Sequence, residues 1–254
     1  MTRLQGKVCV VTGATGMAAD AARGFAEEGA TVWVVDRDPD RCQALGLPAA
    51  VADLRDEAAT EAAFASVRRA AGRIDALYAV AGASGRPLGD GPVHQLSLRA
   101  WDGTLALNAT PAFLAAREAL RAMLDQEPGP GGARGSLVLM TSVLALRPAP
   151  ALFATHAYAA AKAATVGLVR AMASYYGERG VRVNALAPAL VRTPMSARAA
   201  ADPASVAFAE GRQPLAGGFL DPADVTAAAV YLCSDDSRAV TGQVLTVDGG
   251  WTVT

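Results

Sequence analysis

Residues 10–20 read VVTGATGMAAD, and this short run decides the fold. Its first half ends an apolar, β-rich segment, KVCVVTG (7–13). Its second half opens a helical pattern, MAADAARGFAEEG (17–29). Gly13 and Gly16 stand between them. A glycine turn from strand to helix lets the backbone approach a pyrophosphate, which then rests on the amides and positive dipole of the helix N-terminus. Alone, such a turn can be no more than a tight turn. Two later features favour the phosphate reading. The next apolar run, ATVWVVD (30–36), ends in Asp36, about where an acid grips the hydroxyls of an adenosine ribose. The run after it, PAAVAD (48–53), ends in Asp53 at the same edge.

Four more runs read as strands: IDALYAVAG (74–82), GSLVLMTS (135–142), VRVNALAP (181–188) and GQVLTVDGG (242–250). They are nearly continuous in hydrophobicity, as expected when both faces of a parallel sheet are covered. Helical patterns fill the gaps at 56–72, 98–126, 155–180 and 221–236. Strand and helix in strict turn predict an α/β, doubly wound, mostly parallel sheet. The stretch EPGPGGARG (127–135) has the composition of a linker, but strands on both sides belong to one series. It is read as a helix-to-strand loop, and residues 1–254 as a single dinucleotide-binding and catalytic domain.

The composition is 52% hydrophobic and 19% charged with a net charge of −1, so nothing electrostatic favours nucleic acid or an anionic membrane. Cys9, Cys42 and Cys233 are far apart and fit no metal-ligand spacing, which points to reduced thiols. No stretch has the length and apolarity of a membrane span, and the N-terminal run lacks signal-peptide architecture. A cytoplasmic protein is expected.

The helical segment THAYAAAKAATVGLVRAMASYYGERG (155–180), with Thr155 as its expected cap, sets Tyr158 and Lys162 four residues apart on one face. A surface helix produces such pairs by chance. Here Ser142 ends a preceding strand at the sheet edge where sites form in this architecture. A free phenol titrates near ~10, and bringing it to ~7 takes roughly 4 kcal/mol of preferential stabilisation of phenolate. A lysine ammonium within ~4–6 Å, together with the positive ring of an oxidised nicotinamide, could supply it. On this reading Tyr158 is an acid/base, Lys162 tunes it, and Ala159–Ala161 keep the face open.

The series VTGATGMA, Asp36, Asp53, AVAG, Asn108 in WDGTLALNAT, Ser142, YAAAK, RVNALAPALVRTPM and TGQVLTVDGG resembles the short-chain dehydrogenase/reductase family, in the family's order and across nearly the whole chain. The resemblance implies a catalytic set of Asn108, Ser142, Tyr158 and Lys162. Tyr158 exchanges a proton with the substrate oxygen, Ser142 hydrogen-bonds that oxygen, Lys162 also holds the nicotinamide ribose, and the Asn108 region positions a proton-relaying water. It implies cofactor contacts from Gly13, Thr15, Gly16, Met17, Asp36, Arg37, Asp53, Leu54, Ala81, Gly82, Pro188, Val191 and Thr193, besides Tyr158 and Lys162. It also implies a homotetramer or homodimer, for which the pattern around Trp101–Met123 offers a face. The carboxylate of Asp36 repels a 2′-phosphate and favours NAD over NADP, whereas the neighbouring Arg37 could hold such a phosphate. A secondary alcohol or its ketone is the implied substrate. The alternatives are an NADPH-dependent ketone reductase, a non-catalytic nucleotide-binding scaffold, and a nucleotide-sugar epimerase or dehydratase, a class that generally carries a larger C-terminal substrate domain than the stretch after Thr193 leads one to expect.

The chain departs from the family pattern in four places. The glycine turn is shorter by one residue, with Ala18 or Ala19 where a third glycine is common. Ala79 and Val80 replace an asparagine pair that helps knit the sheet, and Ala189 stands where glycine is common. The span from Ser142 to Tyr158 is longer by about three residues and is expected to shape the substrate pocket. Phe153 and Met195 are candidate walls of that pocket. His156, Arg147, Arg192 and Arg198 are candidates for substrate contact, with a solvated or structural role as the plainer reading of each.

Overall fold

The computed structural model describes residues 2–149 and 151–254. Its centre is one parallel sheet of strands β1 (Val8–Thr12), β2 (Thr31–Asp36), β3 (Ala49–Val51), β4 (Ala76–Ala79), β5 (Gly135–Met140), β6 (Val181–Pro188) and β7 (Val244–Val247). Their order across the sheet is β3-β2-β1-β4-β5-β6-β7. The chain winds outward from β1 to β3 and then returns to the other side of β1 as β4. Strand order therefore reverses between β1 and β4, and ligand crevices form outside the carboxyl ends of strands at such a point.

Alternate residues of each strand enter opposite cores, which explains the unbroken apolar runs. Val10, Val35, Leu77 and Leu139 pack beneath α3 (Glu57–Ala71), α4 (Leu98–Asp125) and α5 (His156–Tyr176). On the other face, Cys9, Val11, Val34 and Tyr78 pack against α1 (Met17–Glu27) and α8 (Pro222–Cys233). All three cysteines are buried free thiols. Among the described residues no helix is long and apolar enough to cross a membrane, and no His/Cys/Asp/Glu group could hold a metal.

β6 fills its expected run, 181–188, and the other strands are shorter than theirs. β3 stops at Val51, so Asp53 lies in the turn beyond it, and β7 covers only Val244–Val247 of the expected 242–250. The segment 127–135 is a loop with one 3-10 turn at Pro130–Gly132, as expected. Three helices went unforeseen: α2 (Pro39–Leu45), α6 (Ala197–Ala200) and α7 (Pro203–Arg212). Both α2 and α7 begin with an aspartate cap followed by proline, Asp38-Pro39 and Asp202-Pro203, a start signal that was there to be read.

Candidate active site

A cleft of about 580 Å³ opens at the carboxyl ends of the strands, and every residue singled out above for catalysis or cofactor contact lines it. At one end, Gly13 (φ 96°) and Gly16 (φ 53°) hold backbone conformations that side chains rarely adopt. A Cβ on Gly16 would stand 3.0 Å from the Cβ of Thr193, so the two segments close on each other only because that atom is missing. Thr15, Gly16 and Met17 line the cleft where α1 begins. First-turn amides have no intrahelical acceptor, which makes this a ready anion cradle. Ala18 replaces the third glycine without harm. It is buried, and its Cβ lies 3.2 Å from where a Cβ on Gly13 would be.

The missing asparagine pair is replaced by a hydroxyl. Thr12 Oγ1 accepts hydrogen bonds from the amides of Val80 (3.0 Å) and Ala81 (3.1 Å), tying the end of β1 to the chain leaving β4. This fixes Ala81 and Gly82 beside the cleft.

At the far end of β2, Asp36 accepts from the Asp38 amide at 2.9 Å. Three arginines crowd the same end of the cleft: Arg37, Arg41 and Arg55. Arg41 pairs with Asp38 at 2.9 Å. Arg55 grips Asp53 through both carboxylate oxygens (Nε–Oδ1 2.9 Å, Nε–Oδ2 3.1 Å) and holds that carboxyl down at about 2. Arg37 makes no ion pair among the described residues. Neither Arg41, on the unforeseen helix α2, nor Arg55, in the turn after β3, was singled out from the sequence, since a lone charged residue carries no periodic signal.

Ser142, Tyr158 and Lys162 share one wall. Ser142 has extended backbone just past β5, is buried, and its hydroxyl accepts from the Leu144 amide at 3.2 Å. Lys162 is only 3% exposed, and its Nζ donates to the Met140 carbonyl at 3.1 Å and lies 5.6 Å from the centre of the Tyr158 ring. Burial pulls its ammonium down to about 8. Burial likewise pushes the Tyr158 phenol up to about 12, against a smaller downward pull from Ser142. Burial is the larger of these two influences, and the lowering expected from Lys162 together with a positive nicotinamide ring has to act against it. Ala159–Ala161 do not line the cleft, and Ala161 packs into the core. Positions between i and i+4 point elsewhere around the helix, so these alanines clear no space for a ligand.

Asn108 is completely buried in α4, with every polar side-chain atom engaged. Its Oδ1 accepts from the Ala83 amide at 3.2 Å, and its Nδ2 donates to the carbonyls of Ala83 and Thr104, both at 2.9 Å. Its side chain is thus a brace for the 81–83 turn. Three residues on, Pro111 has no N–H to donate to the carbonyl of Leu107, a residue that lines the cleft.

Thr155 stands at the N-cap position of α5, as expected, but its side chain makes no capping bond. Asp90, buried and far away in sequence, does this work. Its Oδ1 accepts from the Ala157 amide (3.0 Å) and its Oδ2 from the Tyr158 amide (2.9 Å). His156 is structural: its Nδ1 accepts from the Val93 amide at 3.0 Å. Asp90 escaped notice because Gly89-Asp90-Gly91 reads as an ordinary turn.

The longer span after Ser142 folds over the chain's C-terminal segment. Phe153 meets Phe208 and Trp251 at ring-centre distances of 5.6 and 6.1 Å, and Trp251 Nε1 donates to the Arg147 carbonyl at 3.2 Å. Phe153, Met195 and Trp251 all line the cleft, so the two expected walls gain a third. Pro188, Val191 and Thr193 run along the floor, with Val191 bridged to Leu220. Arg147 donates to the Thr252 carbonyl and Arg192 pairs with Asp221 at 3.4 Å, which removes both from the list of substrate contacts. Arg198 does reach the cleft.

Residues 11–252 match the family model described as enoyl-(acyl carrier protein) reductase. Short-chain dehydrogenase reductase 3a of Arabidopsis thaliana is 35% identical, over 99% of this chain and 97% of its own length. The D-threitol dehydrogenase of Mycolicibacterium smegmatis is also 35% identical, over 99% of this chain and 95% of its own. Among solved structures, a short-chain type dehydrogenase/reductase from Mycobacterium marinum superposes with a TM-score of 0.89 at 28% identity, covering 100% of this chain and 98% of that one. With the glycine turn, the reversal of strand order and a match over almost every residue, the chain belongs to the short-chain dehydrogenase/reductase family of oxidoreductases.

Proposed function

We propose that this protein is an NAD(H)-dependent oxidoreductase interconverting a secondary alcohol and its ketone. The observation that carries the reading is the single cleft in which a strained glycine cradle and Asp36 lie at one end and Ser142, Tyr158 and Lys162 share a wall. A nicotinamide cofactor, when bound, supplies the hydride acceptor or donor; the fit of Gly13, Gly16 and the start of α1 to a pyrophosphate supports its use. Ser142 donates a hydrogen bond to the substrate oxygen. Tyr158 moves the proton on and off that oxygen. Lys162, fixed between the Met140 carbonyl and the Tyr158 ring, holds a ribose hydroxyl and biases the phenol toward its anion. Protons leave toward solvent past the Leu107 carbonyl, to which Pro111 offers no N–H, while Asn108 braces the turn beside it.

Asp36 supports NAD over NADP by charge repulsion against a 2′-phosphate. A second reading, NADPH-dependent ketone reduction, draws on Arg37, which has no carboxylate partner among the described residues and lines the same end. The protein acts as a homo-oligomer, a tetramer in the favoured form; Phe113 on α4, 46% exposed, and Tyr175 on α5, 59% exposed, are the apolar surface that supports this. The test of function is a panel of secondary alcohols and ketones followed by absorbance of the reduced nicotinamide with both cofactors. Turnover with NAD(H) at higher kcat/KM than with NADP(H) is expected; no turnover with either, at intact cofactor binding, sinks the reading in favour of a scaffold. Light scattering returning only the 25.8 kDa monomer would remove the oligomer.

A further inference from the structure

The cleft has an uneven distribution of charge. Its acidic lining residues, Asp36 and Asp53, both stand at the end beyond β2 and β3, each with an arginine close by. Around Tyr158 no carboxylate lines the cleft, but two arginines do. Arg86 comes from the 3-10 turn Arg86–Leu88 after β4, and Arg198 from α6, more than a hundred residues later. Neither has a carboxylate within ion-pair distance among the described residues, whereas Arg41, Arg55 and Arg192 all do. Arg86 is also anchored: its Nη2 donates to the Leu152 carbonyl at 2.6 Å, which leaves its other guanidinium nitrogens without a partner among the described residues. The two cations feel each other. Burial first, and then the like charge of Arg198, lower the Arg86 guanidinium, with Asp90 pulling weakly the other way. Asp202, whose carboxyl is held down chiefly by its hydrogen bonds with Ser205 and least by Arg198, makes no ion pair with that arginine. Two like charges lining one cleft repel, and an oxyanion between them converts that repulsion into two charge-assisted contacts.

We infer that Arg86 and Arg198 form the binding site for an oxyanion carried by the substrate, so that the alcohol or ketone acted on is a hydroxy or oxo acid of the carboxylate or sulfonate class. This rests on the reading of Tyr158 and Ser142 as the reacting end. The remaining walls near the arginines are Leu144, Phe153, Met195 and Trp251, which suit a short apolar body between the anion and the reacting carbon. Arginine forks match planar carboxylates in two-point contacts, and both side chains line the cleft that the anion enters.

The experiment uses acid and ester pairs of graded length: acetoacetate, levulinate and 5-oxohexanoate, each against its methyl ester, with a sulfonate analogue and hydroxyacetone phosphate against hydroxyacetone as further arms. Binding is measured calorimetrically without cofactor, and turnover with reduced NAD and NADP. The acid of at least one pair is expected to bind and react at least tenfold better than its ester. The acid-to-ester ratio should fall at least tenfold in Arg86→Ala and in Arg198→Ala, and partly recover in Arg198→Lys. Taking the ratio cancels any general loss of folded protein. A preference confined to the phosphate arm replaces the carboxylate class with a phosphorylated substrate and overturns the inference as stated. Equal binding of acid and ester in every pair overturns it whatever the turnover. So does a loss of NAD affinity in the arginine variants with the ratio unchanged, which would give both side chains to the cofactor. An acid preference in binding that the variants abolish, without turnover of any compound, keeps the anion site and defeats the oxidoreductase reading.

Discussion

Replacing Asp90 tests how α5, the helix that carries Tyr158 and Lys162, is held. The carboxylate is 6% exposed and accepts from two successive first-turn amides of α5, those of Ala157 and Tyr158. Asp90→Ala strips both acceptors. Ala157 is completely buried, so its amide has no route to water and costs about 2 kcal/mol unpaired. The Tyr158 amide lies nearer the cleft and can be partly solvated; with the lost attraction between the carboxylate and the helix dipole it adds about 1 kcal/mol. The expected loss is about 3 kcal/mol. Asp90→Asn retains one acceptor but turns an NH₂ group toward the other amide, and about 2 kcal/mol should go. Equilibrium unfolding in urea reads both as a lower midpoint at unchanged slope. Because the Tyr158 backbone itself is released, kcat should fall more than the folded fraction does. Asp90→Ala within about 0.5 kcal/mol of wild type, with kcat intact, would refute the idea that this carboxylate sets the helix.

Tyr158→Phe should lower kcat by ~10²–10⁴-fold with cofactor affinity nearly unchanged, as measured by steady-state kinetics and calorimetry. Lys162→Met should be more stable than wild type by roughly 2–3 kcal/mol at pH 7 while losing activity. Burial holds the folded ammonium near 8 against an ordinary 10.5, so its cost is fully present below pH 8 and is lifted as pH rises toward 10.5; a stability gain that does not shrink between pH 8 and 10 would contradict this. Asp36→Ala should narrow the preference for NAD(H) over NADP(H), set at tenfold or more (~1.4 kcal/mol), chiefly by weakening NAD(H). Titration of both cofactors checks it, and equal affinities in the unmutated protein would hand the decision to Arg37.

What could be read in the sequence is what lies within one element or at its end. Gly13 and Gly16 sit in a strand-to-helix turn, Asp36 at the end of β2, and Tyr158 and Lys162 one helical turn apart; local spacing specifies each. What could not be read depends on pairings between distant segments. Asp90 meets residues 157 and 158 only through the tertiary fold, and Arg86 and Arg198 come to line one cleft the same way. The wall of Phe153, Phe208 and Trp251 draws on three separate stretches. Substitutions that compensate one another are equally hidden. The absence of the asparagine pair at 79 and 80 raises a doubt about the sheet, and only the position of Thr12 Oγ1 answers it. The alanines of YAAAK were misread for another reason: their small size invites a functional explanation, but helical geometry turns them away from the cleft.

Burial shifts both Tyr158 and Lys162, which face each other at 5.6 Å, so the order in which they lose protons matters more than either value. In the protein alone the first proton to leave, near 8, is that of Lys162, while the phenol stays protonated up to about 12. Proton transfer to Tyr158 from an alcohol requires the opposite order, with phenolate beside ammonium. A charge on Lys162 at 5.6 Å from the ring is worth about 3 kcal/mol at an effective dielectric of ~20, or about two pKa units, which by itself returns the phenol only to about 10. The Lys162 role proposed above therefore needs two further contributions: ribose hydroxyls that hydrogen-bond Nζ and keep it charged, and a positive ring near the phenol. The ultraviolet absorbance of tyrosinate separates the two states, taken as the difference between the unmutated protein and Tyr158→Phe. Without cofactor the difference signal should stay absent below pH 10; with saturating NAD⁺ it should emerge at least two pH units lower than in the free protein. A phenol that ionises below pH 9 without cofactor would show that Lys162 suffices alone. One that does not move on adding NAD⁺ would detach the pair from the cofactor and leave Tyr158 without its assigned role.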